Sequence, residues 1–307
     1  GIGAVLLMTR LIPKHGVARG VWYSIFHAIS AFCNAGFDLA GGFETYRNDP
    51  IVMLIVMALI TLGGIGFSVM FDVQKSQGRF SRLTLHSKLV LVISAILTVS
   101  GAVLFFLFEY DNPLTLADPT LHPGVRPVAA LFQSVTTRTA GFQTIDQENL
   151  TPPSLMLTLI WMFIGASPAS TGGGLKVSRL VILFKTVQKE LRLLIAPHTV
   201  KTVTIDAKRV GSDTIRGVSS YFLTYVFLVL ISVLLVSFDN FDGQTTLTAV
   251  LATFNNIGPG LGLVGPVGNF AMFSPLSKIV LCLDMLFGRL ELYPMVILLL
   301  PSTWSKR

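Results

Sequence analysis

Three short loops in this sequence carry residues that could take the place of water around a cation. They are Asn34-Ala35-Gly36-Phe37, Thr139-Ala140-Gly141-Phe142 and Asn256-Ile257-Gly258-Pro259-Gly260. None of these side chains is charged, so the chemistry open to them is coordination by backbone carbonyls, which replace an ion's hydration shell when several converge on one axis. Glycine permits the backbone angles that such convergence requires. Each loop follows a short apolar segment, Val21 to Ala31, Pro127 to Thr136 and Leu247 to Thr253. All three are far below the ~20 residues that a membrane-spanning helix needs. A short helix that ends inside the membrane points its C-terminal carbonyls, about half a negative charge, at whatever lies beyond it. That end favours a cation. The alternative is that each loop merely caps a helix, because 27 of the 307 residues are glycine. The glycines lie 105 and 117 positions apart in the same apolar frame, which points to an internal repeat of helix, re-entrant helix, loop and helix.

The elements that must hold these loops are apolar. The chain is 52% hydrophobic and 13% charged, with mean hydropathy +0.69, against the ~25% charge usual in soluble domains. It reads as an all-α integral membrane protein. Ile51 to Phe71, Leu89 to Phe108 and Val218 to Phe238 are complete spans, and Leu276 to Leu300 is the last. Ile2 to Leu7 is too short to span, so the sequence is expected to begin partway through a membrane helix. Cys33 and Cys282 form neither a disulfide framework nor a metal-ligand spacing, and the five histidines are scattered.

The net charge of +7 does not point to nucleic acid, because of where the charges fall. Lys75, Arg79, Arg82 and Lys88 fill one connection; Lys185, Lys189, Arg192, Lys201, Lys208, Arg209 and Arg216 fill another, and the chain ends in Lys306-Arg307. The connections on the filter side hold Asp38, Glu44, Asp49, Glu109, Asp111, Asp118, Asp146, Glu148, Asp239 and Asp242. By the positive-inside rule the basic loops and the C-terminus are cytoplasmic and the filters open outward. Arg10, Lys14 and Arg19 are an outer-side exception.

A second segment has its own chemistry. Leu155 to Ile164 is apolar but stops halfway across, and Gly165-Ala166-Ser167-Pro168-Ala169-Ser170-Thr171-Gly172-Gly173-Gly174 follows before Val177 to Phe184 resumes. Non-helical backbone at membrane depth is tolerated only where protein buries it or water bathes it. The segment is therefore expected to cross the conduction path beneath the filter as a gate, with Arg289 of the last span against it. Arg289 could otherwise pair with Glu291 or Asp284. The glycine run ahead of Lys176 is not a phosphate-binding loop: Leu175 separates Gly174 from Lys176, and no strand precedes it. An enzyme is not expected.

The stretches FHAISAFCNAGFDLA, FQSVTTRTAGFQTID, ASPASTGGGLKVSR, LATFNNIGPGLGLVGPVGNF, LFGRLELYP and PSTW together resemble the TrkH/KtrB superfamily of potassium transporters, and GPGLG and GRLE look more like its TrkH branch. The resemblance implies four membrane-loop-membrane repeats around one pore. Residues 1–73 would be the second repeat, 74–195 the third with a broken second helix, and 196–307 the fourth, with the first absent. It also implies K+ at the filter residues Asn34 to Phe37, Thr139 to Phe142 and Asn256 to Gly260, and a gate of Gly165 to Gly174, Lys176 and Arg289. A homodimer in the cell membrane is implied, regulated by a cytosolic nucleotide-binding ring (TrkA/KtrA-like). Any nucleotide would belong to that ring, with no cofactor in this chain. A sodium-permeable or sodium-coupled transporter of the same fold is the alternative.

Overall fold

The computed structural model describes residues 1–39, 42–196, 202–205, 208–265, 268–290, 292–299 and 301–304. The regular structure of the described residues is helical, apart from the two-residue pairing of Thr204–Ile205 with Lys208–Arg209. Helices α1 (Ile2–His15) and α2 (Val17–Phe32) lead into α3 (Pro50–Ile65) and α4 (Phe67–Lys75). Then come α5 (Leu85–Glu109), α6 (Arg126–Thr136), α7 (Pro152–Phe163) and α8 (Val177–Ile195), followed by α9 (Ser212–Val236), α10 (Gly243–Phe254), α11 (Pro275–Leu290) and α12 (Leu292–Leu299).

This order repeats one unit. A leading helix (α1, α5, α9) is followed by a second helix (α2, α6, α10), a loop, and an outgoing helix (α3, α7, α11); the leading helix is much the longer in the second and third units but not in the first. The short helices end where their backbone partners run out. Each is followed by a tight bond back onto its own last turn: Ala35 N to Ser30 O at 2.9 Å, Ala140 N to Thr136 O at 3.0 Å, and Ile257 N to Ala252 O at 2.9 Å. Among the described residues α5, and α9 with its short continuation to Asp239, are long and apolar enough to cross a membrane. Val99, Val103 and Leu107 of α5 and Leu223, Phe227, Leu230 and Leu234 of α9 are exposed. An apolar surface of this extent suits hydrocarbon, not water. Inside, one apolar cluster joins α1, α2 and α3 to α6 through residues such as Leu7, Met53 and Phe132, and another joins α9, α10 and α11 through Tyr225, Phe254 and Leu281.

The span expected over Ile51 to Phe71 is not straight. It breaks between α3 and α4 with a bend of 92°. The cause is Gly66, at φ 96° and ψ 145°, a conformation that halts the helix and suits glycine alone. A side chain there would also meet the Pro168 carbonyl at 2.8 Å. The last expected span, Leu276 to Leu300, is covered by α11 and α12; Glu291 between them, Leu300, and the terminal Lys306 and Arg307 lie outside the described residues.

Arg10 and Lys14, two of the three basic residues expected to be exceptions to the charge rule, share a partner. Asp49 caps α3, accepting from the Val52 amide, and its other oxygen takes Arg10 Nη2 at 3.0 Å and Lys14 Nζ at 3.1 Å. Burial pushes the Asp49 carboxyl up, but the bonds from Arg10, Lys14 and Val52 outweigh it and hold it below the ordinary aspartate range. A carboxylate with a depressed folded value adds stability above its unfolded value, and loses it as pH falls through the folded one. Asparagine keeps the cap and removes the charge. Asp49→Asn should therefore lower the melting temperature in detergent by about 2 °C at pH 7, since both cations are partly exposed. The gap to wild type should narrow as pH falls below about 4. Melting curves at pH 7 and pH 3 check it, and a gap as wide at pH 3 as at pH 7 contradicts it.

Candidate cation filter and gate

The three loops adopt one backbone. In each, the filter glycine and the residue two before it both have positive φ: Asn34 and Gly36 at 52° and 70°, Thr139 and Gly141 at 70° and 84°, Asn256 and Gly258 at 54° and 104°. Asparagine tolerates this region. For a β-branched residue such as Thr139 it is an outlier, of the kind held only where surroundings over-determine it.

The loops also converge. A side chain on Gly36 would overlap the Ala140 carbonyl oxygen, one on Gly141 would lie 2.6 Å from the Ile257 carbonyl oxygen, and one on Gly258 would approach the Ala35 carbonyl oxygen at 3.9 Å. Each glycine thus faces the carbonyl that precedes the glycine of another loop, and the ring runs through all three. The next carbonyls are turned away and tied back, with Ser30 Oγ donating to Phe37 O at 2.9 Å and Thr136 Oγ1 to Phe142 O at 2.7 Å. Where the loops meet, the groups brought together are uncharged carbonyl oxygens just beyond the C-terminal ends of α2, α6 and α10, an environment that suits a cation stripped of water.

On one side Gly36, Gly141, Gly258 and Pro259 open into a cavity of about 600 Å3 that Asp38, Glu44 and Gln143 also line. Gln143 Nε2 donates to Glu44 Oε1 at 2.6 Å, and His27 Nε2 lies 2.7 Å from Asp38 Oδ1. Carboxylates at a mouth concentrate cations. Their pairing with Gln143 and His27 was not visible in the sequence, since the partners stand 99 and 11 residues apart. Between the first and third loops a crevice of about 760 Å3 remains, lined by Asn34, Phe37, Asn256, Leu281, Met285 and Arg289 among others. Ile257 is buried beside this crevice, and Phe37 projects outward, unlike its buried counterpart Phe142.

On the other side lies the segment Gly165 to Gly174. It is folded back on itself, with Gly165 N donating to Leu175 O at 3.0 Å and Ala166 N to Gly173 O at 3.2 Å. Its tip, around Ala169 at φ 56°, inserts where α3 breaks. Ser167 N donates to Gly64 O at 3.0 Å, Thr171 N to Gly63 O at 3.2 Å, and Phe67 N to Ala169 O at 3.0 Å. The bend at Gly66 and the segment therefore satisfy each other's free backbone groups. In the sequence Gly63-Gly64-Ile65-Gly66 reads only as small residues suited to close helix packing, and a glycine run opposite a second glycine run is the one signal of this docking.

The segment also reaches all three short helices. Thr171 Oγ1 donates to Phe32 O at 3.0 Å and lies 3.2 Å from an Asn34 amide atom. A side chain on Gly172 would meet Thr139 Oγ1 at 2.5 Å, and one on Gly173 would overlap the Asn255 carbonyl. Ser170 Oγ closes the turn onto Ser167 O at 2.6 Å. Two cations hold the next turn. Lys176 Nζ, buried, donates to Gly172 O at 2.8 Å, and Arg289 Nη1 donates to Thr171 O at 2.6 Å from the crevice. Arg289 does not pair with Asp284, which instead accepts from Ser232 Oγ at 2.7 Å. Glu291 lies outside the described residues.

The profile of the family described as TrkH, cation transport protein, matches residues 2–306. The Ktr system potassium uptake protein B of Vibrio alginolyticus is 35% identical over 94% of this chain and 61% of its own. The potassium/sodium uptake protein NtpJ of Enterococcus hirae is 34% identical over 97% of this chain and 64% of its own. The crystal structure of the potassium transporter TrkH from Vibrio parahaemolyticus superposes with a TM-score of 0.81 at 25% identity, covering 99% of this chain and 63% of that one. The chain thus spans less than two thirds of the length of these relatives.

Proposed function

The chain belongs to the TrkH family of cation transport proteins, and from that premise we propose that it carries potassium into the cell through the ring of filter carbonyls, under the control of the segment below it. The observation that supports this most is the cyclic approach of Gly36 to Ala140, Gly141 to Ile257 and Gly258 to Ala35. The filter residues are Asn34 to Phe37, Thr139 to Phe142 and Asn256 to Gly260. The gate is Gly165 to Gly174, with Lys176 and Arg289 holding Thr171 and Gly172. In this reading residues 1–73, 74–195 and 196–307 are three repeats of a ring of four, and a fourth filter segment fills the crevice between the first and third loops.

The filter mouth faces outward and the C-terminus is cytoplasmic in this proposal. Asp38 and Glu44 at the mouth support that orientation, as do Lys185, Lys189 and Arg192, which were expected in a connection but stand on α8. The protein acts as a homodimer, and a cytosolic nucleotide-binding ring docks on the basic face and carries any nucleotide. Sodium as a second permeant ion is favoured by one observation, the 34% identity to a potassium/sodium uptake protein.

The test is uptake in cells that lack other potassium uptake. Expressed together with the fourth filter segment, the protein should restore growth at low potassium and give rubidium tracer uptake that potassium blocks and sodium blocks poorly. Equal competition by sodium supports the second reading, and no uptake at all contradicts both.

A further inference from the structure

The strained filter positions need something to hold them. In the second loop the residue just before Thr139 is Arg138, and its guanidinium reaches across to the preceding membrane helix. Nη1 donates to Ser94 O at 3.3 Å and to Thr98 Oγ1 at 3.4 Å, and Nη2 to Ser94 Oγ at 3.4 Å. In the third loop the residue just before Asn256 is Asn255, fully buried. Its Oδ1 accepts from Tyr225 OH at 2.8 Å, and its Nδ2 donates to Leu251 O at 2.8 Å. Ser94 and Thr98 lie on α5, and Tyr225 lies on α9, the equivalent helix of the next repeat. Two unrelated side-chain chemistries therefore do the same thing at the same place. In the first loop that position is Cys33, whose side chain is exposed.

We propose that Arg138 with Ser94 and Thr98, and Asn255 with Tyr225, are positioning residues that clamp the second and third filter loops to the helices behind them and so set ion preference. The reason is geometric. A residue at φ near 60° that is not glycine is costly to hold unless its neighbours are fixed, more so for the β-branched Thr139 than for Asn256. Relaxation at Thr139 or Asn256 would rotate the Ala140 or Ile257 carbonyl, and these are the carbonyls that the ring of glycines faces. Arg138 contributes through a planar fork whose donors reach two residues one turn apart on α5, which lysine cannot reproduce. Its charge is not the operative feature. Tyr225 contributes one hydroxyl, and its ring packs edge-on against Phe254 with centroids 4.8 Å apart.

This inference rests on the proposed filter, and the experiment separates the two. Rubidium and sodium uptake are measured in vesicles from cells expressing the natural protein, Tyr225→Phe, Arg138→Lys and Arg138→Met. Phenylalanine keeps the ring packing and removes only the hydroxyl. It should lower the rubidium-to-sodium ratio about fivefold, the factor that loss of one neutral hydrogen bond corresponds to, with the maximal rate retained. Both Arg138 variants should lose the ratio by a similar or larger factor, and lysine should not rescue it. Asn255→Leu combined with Tyr225→Phe should do no more than Asn255→Leu alone, because the two act as one unit. If lysine restores the ratio, charge and not positioning is the role. A natural ratio in Tyr225→Phe overturns the clamp in the third loop, and if the Arg138 variants fail to insert, that result alone decides. If the unmodified protein shows no preference between the ions, the filter itself is wrong.

Discussion

Gly141→Ser should cost the transporter most of its discrimination, lowering the rubidium-to-sodium uptake ratio by about tenfold or more. Two effects add. Gly141 has φ 84°, and a new side chain there would lie 2.6 Å from the Ile257 carbonyl oxygen and 2.8 Å from Pro259 Cδ. Holding a non-glycine residue in this region costs roughly 1–3 kcal/mol, and every 1.4 kcal/mol is about a tenfold change in an equilibrium. The loop will relieve the overlap by moving the Ile257 carbonyl off the axis. Gly258→Ser separates the two effects, because at φ 104° it carries the same kind of backbone cost while its side chain would meet only the Ala35 carbonyl, at 3.9 Å. Its effect should be smaller. Tracer uptake of both ions by cells expressing each variant checks the order, and an unchanged ratio in Gly141→Ser refutes the assignment of this loop.

Deleting Ala169 to Gly173 should raise uptake at least tenfold and weaken its dependence on any cytosolic partner, while leaving ion preference largely intact. The deletion removes the Thr171 and Gly172 carbonyls, which accept from Arg289 and Lys176, and the Thr171 amide, which donates to Gly63 O. Arg289→Ala isolates one of these holds. A hydrogen bond to a charged group is worth about 1.5–3 kcal/mol, so losing it should shift a closed-to-open equilibrium by about tenfold or more. Arg289 also stands in the crevice near the axis, where its charge opposes a passing cation, and removing it acts in the same direction. Initial rates of rubidium uptake normalised to surface expression check both variants. If the deletion abolishes uptake in protein that inserts normally, the segment is a structural joint between α3 and α8.

Much of this was legible in the sequence because membrane physics leaves few options. A short apolar segment that cannot span must turn back, and the recurrence of Gly36, Gly141 and Gly258 in one frame identified the loops without any view of their contacts. The interruption of α7 after Phe163 was equally plain, since Gly, Ser and Pro cannot continue a helix there. What the sequence did not reveal was reciprocity. Gly66 reads as one more packing glycine until the segment around Ala169 is seen to fill the bend it makes. The partner of Arg289 was open between Asp284, Glu291 and the gate backbone, because a backbone carbonyl leaves no trace in composition. Arg10 and Lys14 looked like exceptions to the charge rule, and Asp49, 39 and 35 residues away, accounts for them. Tyr225 read as one aromatic in a span. Its bond to Asn255 depends on how α9 is rotated, which hydropathy does not encode.

The most direct test of the shared filter is to locate the ion. Crystals of the protein grown in rubidium, with diffraction recorded at the rubidium absorption edge, should show anomalous density on the axis enclosed by the carbonyls of Ala35, Ala140 and Ile257, and that density should fade when potassium replaces rubidium. Well-ordered filter loops with no density on that axis, or density only against Asp38 and Glu44 in the outer cavity, would contradict the account.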